Sequence, residues 1–358
     1  MDEQTLAPPL RAHGRVLPAG PPAEPGEPDG TVASTVADGG PAASRPGWSI
    51  GLDVGGTKVH GVLLDPAGHV RAETRSATVR GVDGVVVGVV EAVRTLASAG
   101  GVELTDLVGV GVGLPGVVDH VDGTVEHAVN LGIEGRAALG PLVAAHLGAP
   151  VDVRLENDVN VAAVGAAHLL APGEPADLAF LALGTGLAAG LLLDGRLRRG
   201  SGGAAGEIGH LTYVPGGRPC NCGQLGCLEQ YASGSALDAA WPGPHERPAP
   251  VEVFAAAAAG DTRALAVRDE FAAAVATAVR LLVLTCDVRR VVIGGGVAGV
   301  GAPLLDAVRD VLRTAALSSP FLASMALEDR VSLAPEGAPV GAVGAAVVGR
   351  DVALSGGR

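Results

Sequence analysis

Four side chains that bind soft metals fall within a short stretch of the sequence: His210, Cys220, Cys222 and Cys227. Zinc takes four tetrahedral nitrogen or sulfur ligands, and a Cys3His set closes its shell with no position left for water. The cluster therefore predicts a structural zinc site, with Gly223 and Gly226 supplying the tight turns of a knuckle. A disulfide between Cys220 and Cys222 would close over a single residue and be strained. The C-x-C spacing departs from the commoner spacing of zinc knuckles, so composition favours zinc without requiring it. Cys286, alone in an apolar stretch, reads as a small buried residue.

Three further groupings could handle phosphate. Glu156-Asn157-Asp158 stands between an apolar strand-like run and a helical one. Carboxylates at a helix start are favoured in their charged form. Two readings fit: Asn157 or Asp158 caps the helix, or Asp158 is the base that takes a proton from a substrate hydroxyl in phosphoryl transfer. In Asp53-Val54-Gly55-Gly56-Thr57-Lys58, bare glycine N–H groups and the Thr57 hydroxyl could meet phosphate oxygens. Asp53 could hold magnesium through water. The same residues suit an ordinary Gly-Gly hairpin, and the GxxxxGK[ST] pattern of a Walker loop is absent. Gly294-Gly295-Gly296 fits a backbone lying against a nucleotide near a helix start, and equally a loop that needs glycine dihedrals.

Positioning these groups requires strands that end in turns. Short apolar runs punctuated by Gly and Pro predict strands over 50–54, 59–64, 69–76, 107–112 and 151–155, then 178–183, 187–193 and 290–293. Helical periodicity predicts helices over 81–99, 135–147, 159–170, 233–240, 250–259, 262–285, 303–315 and 340–349. Gly56-Thr57 and Gly184-Thr185-Gly186 each sit between two apolar strands, the second of which ends at Asp65 or Asp194. This echo predicts two related halves that each offer a hairpin tip to one cleft; chance likeness of two Gly-rich hairpins accounts for the spacing equally well.

Composition sets the outer bounds. The 358 residues are 48% hydrophobic but only 2% aromatic, so the cores must be filled by Val, Leu and Ala. A net charge of −13 speaks against a nucleic-acid partner, since phosphate backbones are held by Lys and Arg; the nearest thing to a basic run is Arg196, Arg198 and Arg199. The longest uncharged stretch, 178–193, is interrupted by glycines and falls short of the ~20 apolar residues of a membrane span. No basic start leads into an apolar segment, so no secretory signal is read and the expected location is cytoplasmic. Residues 1–47, dense in Gly and Pro and lacking any hydrophobic period, read as disordered and offer no helix-turn-helix.

Taken in order, 53–58, Leu114-Pro115-Gly116, Glu156-Asn157-Asp158, Leu183-Gly184-Thr185-Gly186, Glu207-Ile208-Gly209-His210 and Gly294-Gly295-Gly296 closely resemble the ROK family of bacterial sugar kinases, repressors and open reading frames. The most specific match is Cys220-Asn221-Cys222-Gly223-Gln224-Leu225-Gly226-Cys227-Leu228-Glu229, and Glu229-Gln230-Tyr231-Ala232-Ser233-Gly234 is most similar to the glucokinase branch. The resemblance runs from about residue 50 to the C-terminus. It implies an α/β, two-lobed actin-like ATPase (ribonuclease H-like) fold with a zinc-bound loop. The N-terminal lobe would span 48–158, completed by a C-terminal helix around 340–358; the C-terminal lobe would span 159–339 and carry the zinc loop, 210–229.

By position, the resemblance makes Asp158 the catalytic base. Asn130, Asn157, Asp158, Glu207, His210 and Glu229 become sugar ligands. Asp53, Gly55, Gly56, Thr57 and Lys58 become the first phosphate loop, Thr185 and Gly186 the second, and Gly295 and Gly296 the nucleotide pocket. His210 would serve zinc with one ring nitrogen and the sugar with the other. The implied activity is phosphorylation of a hexose by Mg-ATP, glucose to glucose 6-phosphate foremost. The alternatives are N-acetylmannosamine, N-acetylglucosamine or fructose as acceptor, polyphosphate as donor, or a sugar-responsive regulator or sugar-binding protein without catalysis. The implied assembly is a homodimer or homotetramer. Two departures from the family pattern stand out: Ala188 and Ala189 replace frequent glycines after the second phosphate turn, and no aromatic accompanies Asn130-Leu131-Gly132-Ile133.

Overall fold

The computed structural model describes residues 47–172, 176–244 and 246–350, all within the unit Pro41–Arg358. The disorder expected for 1–47 thus lies, Gly47 apart, outside the described residues, as does the end of the helix expected around 340–358. The first half runs β1 (Trp48–Val54), β2 (Lys58–Leu64), β3 (Val70–Ala77), α1 (Val82–Gly100), β4 (Leu107–Leu114), β5 (Val117–Asp119), β6 (Thr124–Glu126), α2 (Leu139–Leu147), β7 (Val153–Asn157) and α3 (Asp158–Leu170). The second runs β8 (Leu178–Leu183), β9 (Leu187–Leu193), β10 (Arg196–Leu197), α4 (Gly234–Ala240), α5 (Ala249–Ala258), α6 (Thr262–Cys286), β11 (Arg290–Gly294), α7 (Ala302–Leu317), α8 (Pro320–Met325), β12 (Val331–Leu333) and α9 (Val340–Arg350).

Two five-stranded sheets result, ordered β3-β2-β1-β4-β7 and β10-β9-β8-β11-β12. In each, an antiparallel meander of three strands is followed by two strands added in parallel. The second sheet therefore repeats the plan of the first. Both Gly/Thr turns occupy the same place, the tip between a half's first and second strands, which gives the sequence echo a structural cause. Strands β4 and β8 are buried almost throughout, as parallel strands covered on both faces must be. In α1, Val85, Val86, Val89, Val90, Val93, Leu96 and Ala97 form one buried stripe, and Gly101 ends the helix at φ 65°.

Each sheet has its own core, one around Ile50, Leu52, Val89 and Leu96 and one around Leu181, Phe271, Val279 and Ile293. A third joins Val161 and Ala163 of α3, Phe180 of β8, Val292 of β11 and Ala345 of α9. Helix α3 is buried from Asn160 to Ala167, because it packs on α9 and also on β8 and β9. Helix α9 returns to the first sheet and lies across β1, β2, β4 and β7. That approach is backbone to backbone: a methyl group on Gly111 of β4 would overlap the Ala345 carbonyl, and one on Gly344 of α9 the Val161 carbonyl.

The sequence periodicity errs in a few places. The helix expected over 135–147 begins only at Leu139, because Ala137 exchanges backbone hydrogen bonds with Val125 at 2.9 and 2.8 Å. Strands β5, β6, β10 and β12 and the short α8 are not visible in the periodicity. Strands of two or three residues and a helix of six are too short to display a period. Cys286 ends α6 half-buried, packed against the second core. No helix among the described residues is long and apolar enough to cross a membrane.

Candidate functional site

Strand β7 ends where α3 begins, and that junction carries the Glu-Asn-Asp run. Asn157 caps α3, accepting hydrogen bonds from the N–H groups of Val159 (2.9 Å) and Asn160 (3.4 Å). Asp158 Oδ1 accepts from Val159 N–H at 2.9 Å. The capping reading therefore holds for Asn157 and leaves Asp158 as a second carboxylate at the helix start. Burial raises the pKa of Asp158, reinforced by the Glu207 charge, and the Val159 N–H only partly offsets this. Asp53, at the end of β1, is raised to about 6, first by burial and then by the charge of Asp158, against a lowering by Lys58. The carboxylates of Asp53, Asp158 and Glu207 thus share one region.

A cavity of about 770 Å³ opens there, lined from the first half by Asp53, Lys58, His60 and Asp158 and from the second by Phe180, Ala182 and Gly294-Gly295-Gly296. The loop before α9 completes it. Gly295 leaves β11 at φ 84°, and a methyl group on it would lie 2.5 Å from the Leu183 carbonyl oxygen, so no larger residue fits. Lys58 is the sole lysine in the chain, every other cationic side chain being Arg or His. The signal for His60 lies in strand alternation, which puts it on the face of Lys58; its Nε2 meets Glu73 Oε1 at 2.8 Å. A second cavity, about 660 Å³, between α5, α6 and α7, holds none of the expected site residues.

The turn tips flank this cavity without lining it. In the first, Gly55 N–H donates to the Lys58 carbonyl (2.9 Å), and Thr78 clamps the turn by donating Oγ1–H to the Gly55 carbonyl (2.7 Å) and N–H to the Thr57 carbonyl (3.1 Å). Thr57 is exposed and Gly56 lies against Asn130, whose Cβ would be 3.0 Å from any added methyl. In the second, Thr185 is exposed, and Glu229 Oε2 accepts from Leu187 N–H at 2.9 Å, beside Gly186. Glu229, expected to meet sugar, therefore braces the second Gly/Thr turn. Ala189 is buried in the second core, so its methyl points away from the cleft. Ala188 pairs with Ala182, on the cavity face.

Glu207 leads by one 3₁₀ turn into His210, and the cysteine loop folds back on that turn through Leu228 N–H to the Leu211 carbonyl (2.9 Å). The ligand atoms of His210, Cys220, Cys222 and Cys227 lie within 4.8 Å of one another. His210 Nδ1 is 3.8 Å from Cys220 Sγ, and Cys222 Sγ is 3.6 Å from Cys227 Sγ. Tetrahedral zinc with bonds near 2.3 Å sets its sulfurs about 3.8 Å apart, close to these two spacings, so the donor set is of the kind and size that holds the ion. Backbone and side-chain amides of Gln224 hold the Cys222 thiol well below its ordinary pKa, whereas burial pushes Cys227 up. The imidazole enters the cluster by Nδ1, which leaves Nε2 on its other side.

Besides His60, two residues of the region escape the sequence reading. Arg199, one of the three arginines resembling a basic run, is buried and donates Nε–H and Nη2–H to Glu156 Oε2, both at 2.7 Å. Glu156, legible in the sequence only as part of its run, is buried as well and accepts at Oε1 from Asn160 Nδ2 (2.8 Å) and Asn157 N–H (3.0 Å). The other two arginines of the run lie exposed beside or at β10, Arg198 reaching Asp194 at 3.4 Å.

Known proteins agree with this architecture. Residues 49–351 match the model of the ROK family. A glucokinase of Halalkalibacterium halodurans is 32% identical over 288 residues, covering 75% of this chain and 86% of that protein. An N-acetylmannosamine kinase of Haemophilus influenzae is 31% identical over 255 residues, covering 69% and 80%. The crystal structure of a ROK family glucokinase from Streptomyces griseus in complex with glucose and AMPPNP superposes with a TM-score of 0.66, at 31% identity, over 85% of this chain and 99% of that one.

Proposed function

The chain belongs to the ROK family, and from that premise we propose that it is a hexose kinase that transfers the terminal phosphoryl group of ATP to a sugar hydroxyl, with glucose as the foremost acceptor. The observation that carries this reading is the half-buried Asp158 at the start of α3, its pKa raised first by desolvation, on the wall of a cavity shared with Asp53, Lys58 and the Gly294-Gly295-Gly296 loop. A base needs a pKa lifted toward the working pH. Asp158 Oδ1 is engaged by the helix N–H, so Oδ2 receives the hydroxyl proton as the sugar hydroxyl oxygen attacks the γ-phosphorus and the bridging oxygen leaves with ADP. The acceptor is the primary hydroxyl, at C6 of a hexose.

The chain's own groups divide the remaining work. Lys58 and the N–H groups of Gly56 and Thr57 in the first turn and of Thr185 and Gly186 in the second meet phosphate oxygens, Gly55 N–H being held within its turn by the Lys58 carbonyl, and Gly295 and Gly296 let the nucleotide lie against backbone. Asp53 would hold magnesium, which when bound would supply charge neutralisation along the phosphates. Asn130, Asn157, Glu207, His210 and Glu229 orient the sugar hydroxyls. His210, Cys220, Cys222 and Cys227 would hold zinc, which when bound would fix the imidazole and with it one wall of the sugar pocket.

A second acceptor, N-acetylmannosamine, is favoured by the similar identity to kinases of that sugar. ADP release by purified protein against a panel of hexoses and N-acetylhexosamines separates the two. Glucose should give the highest kcat/KM. Release that no sugar stimulates would overturn the kinase reading, and preference for N-acetylmannosamine would replace the acceptor.

A further inference from the structure

Glu156 and Arg199 are a buried carboxylate and a buried guanidinium that the proposed chemistry does not use. Two donors of Arg199, Nε–H and Nη2–H, converge on one oxygen of Glu156 at 2.7 Å. The other oxygen is taken by Asn160 Nδ2 and Asn157 N–H. These partners of Glu156 belong either to the start of α3 or to Arg199. Arg199 stands just past β10, on the second sheet, and its carbonyl accepts from Ala205 N–H at 3.0 Å. From there two residues lead to Glu207, through Gly206, whose carbonyl is held by Ala189 N–H at 2.9 Å. One ion pair therefore connects the turn that carries Asn157 and Asp158 with the loop that delivers Glu207 and His210.

We propose that Glu156 and Arg199 are positioning residues that fix the spacing between Asp158 and the Glu207–His210 wall, an inference that rests on the hexose-kinase reading of the same cleft. Taking two charges out of water is unfavourable, and apolar side chains of similar volume would fill such a site at least as stably. What the ion pair adds is geometry. A guanidinium offers a rigid fork whose direction is fixed, and Glu156, backed on its second oxygen by α3, cannot turn without breaking its bonds to the start of that helix. Neither side chain touches the reacting atoms on this account; both act through Asp158 and its neighbours. Misplacement of a reacting group by an ångström costs about a hundredfold in rate.

The test uses Glu156→Gln, which keeps shape but removes charge, and Arg199→Lys, which keeps charge but removes the fork and covers the event that the first variant folds poorly. Each is assayed well below its unfolding midpoint beside Leu96→Ala, a cavity in the distant core of the first sheet. Glu156→Gln should lower kcat about 10- to 100-fold with KM for Mg-ATP within about twofold, and Arg199→Lys should lower it several-fold. In an Asp158→Asn background, adding Glu156→Gln should cost nothing further, because the residue it positions is gone. A full additional loss there, equal to that in wild type, would overturn the inference, as would kcat unchanged in both single variants.

Calorimetry gives a readout independent of turnover: Glu156→Gln should weaken glucose binding about tenfold while leaving Mg-AMPPNP binding unchanged. Equal loss of both, or of neither, also counts against the pair. The wild-type rate tests the kinase reading, and only the ratios between variants and wild type test the positioning role.

Discussion

Replacing Asp53 by Asn should make the protein more stable and less able to bind Mg-nucleotide. Burial and the Asp158 charge hold the Asp53 pKa at about 6, above its ordinary value of 3.8. A tenfold change in proton affinity is worth about 1.4 kcal/mol, so an ionised Asp53 weakens the folded state by about 3 kcal/mol above pH 7. The sign follows from proton binding: the folded state holds this proton more tightly than the unfolded chain. The cost is therefore absent well below pH 4, where both states are protonated, grows between about 4 and 6, and is complete above the folded pKa. Asn carries no charge at any of these pH values. Urea unfolding of both proteins should show the advantage of the Asp53→Asn variant growing by about 2 kcal/mol from pH 4.2 to pH 7.5. A difference that does not change with pH would mean that Asp53 is not strained by its own charge, and the electrostatic description of the cleft would go with it.

Three other outcomes follow from the same geometry. Asp158→Asn should keep the fold, since Asn157 remains the helix cap, and lower kcat about 10²- to 10⁴-fold; near-normal turnover would remove Asp158 from the chemistry. Cys222→Ser should drop bound zinc, measured by elemental analysis, from one equivalent per chain to well below it, and weaken glucose binding through His210 more than nucleotide binding; zinc-free protein with unaltered glucose affinity would detach the knuckle from the pocket. Because Lys58 is the only lysine and is exposed, an amine-directed acylating reagent has one side-chain target. Peptide mass spectrometry should find loss of activity in step with acylation of Lys58, slowed by Mg-ATP; acylated protein with full activity would take the ammonium out of the phosphate site.

Much of this site is legible in the sequence because its chemistry is local. Three cysteines and a histidine in one stretch can converge without long-range help, and Asn157 and Asp158 sit where a strand period changes to a helical one. The two halves are announced by Gly56-Thr57 and Gly184-Thr185, since a turn between buried strands needs little context. What sequence cannot supply are the partners brought together by the sheets. Arg199 lies 43 residues from Glu156, and nothing in its surroundings distinguishes it from exposed Arg198. His60 reads as one more strand residue; only the pairing of β1 with β2 places it opposite Asp53. Helix α9 reads as an ordinary Ala/Val/Gly helix; that Gly344 must face Val161, and Ala345 must face Gly111, is set by three elements far apart in the chain.

The charges of the cleft carry a last consequence. Asp53, Asp158 and Glu207 stand together with Glu229 at the second turn, and Lys58 is the only ammonium side chain the protein has to set against them. A polyanionic nucleotide is repelled by such a set unless a cation accompanies it, and a divalent ion against these groups favours their ionised forms. Metal ligands bind as their deprotonated forms, so affinity follows their titration. With Asp53 at about 6, the affinity for Mg-AMPPNP should rise about tenfold between pH 5 and pH 7. In Asp53→Asn that rise should flatten to whatever Asp158 contributes, while glucose binding over the same range changes little. Calorimetric titrations that stay as steep without Asp53 would assign the pH dependence elsewhere, and the magnesium role of Asp53 would fall.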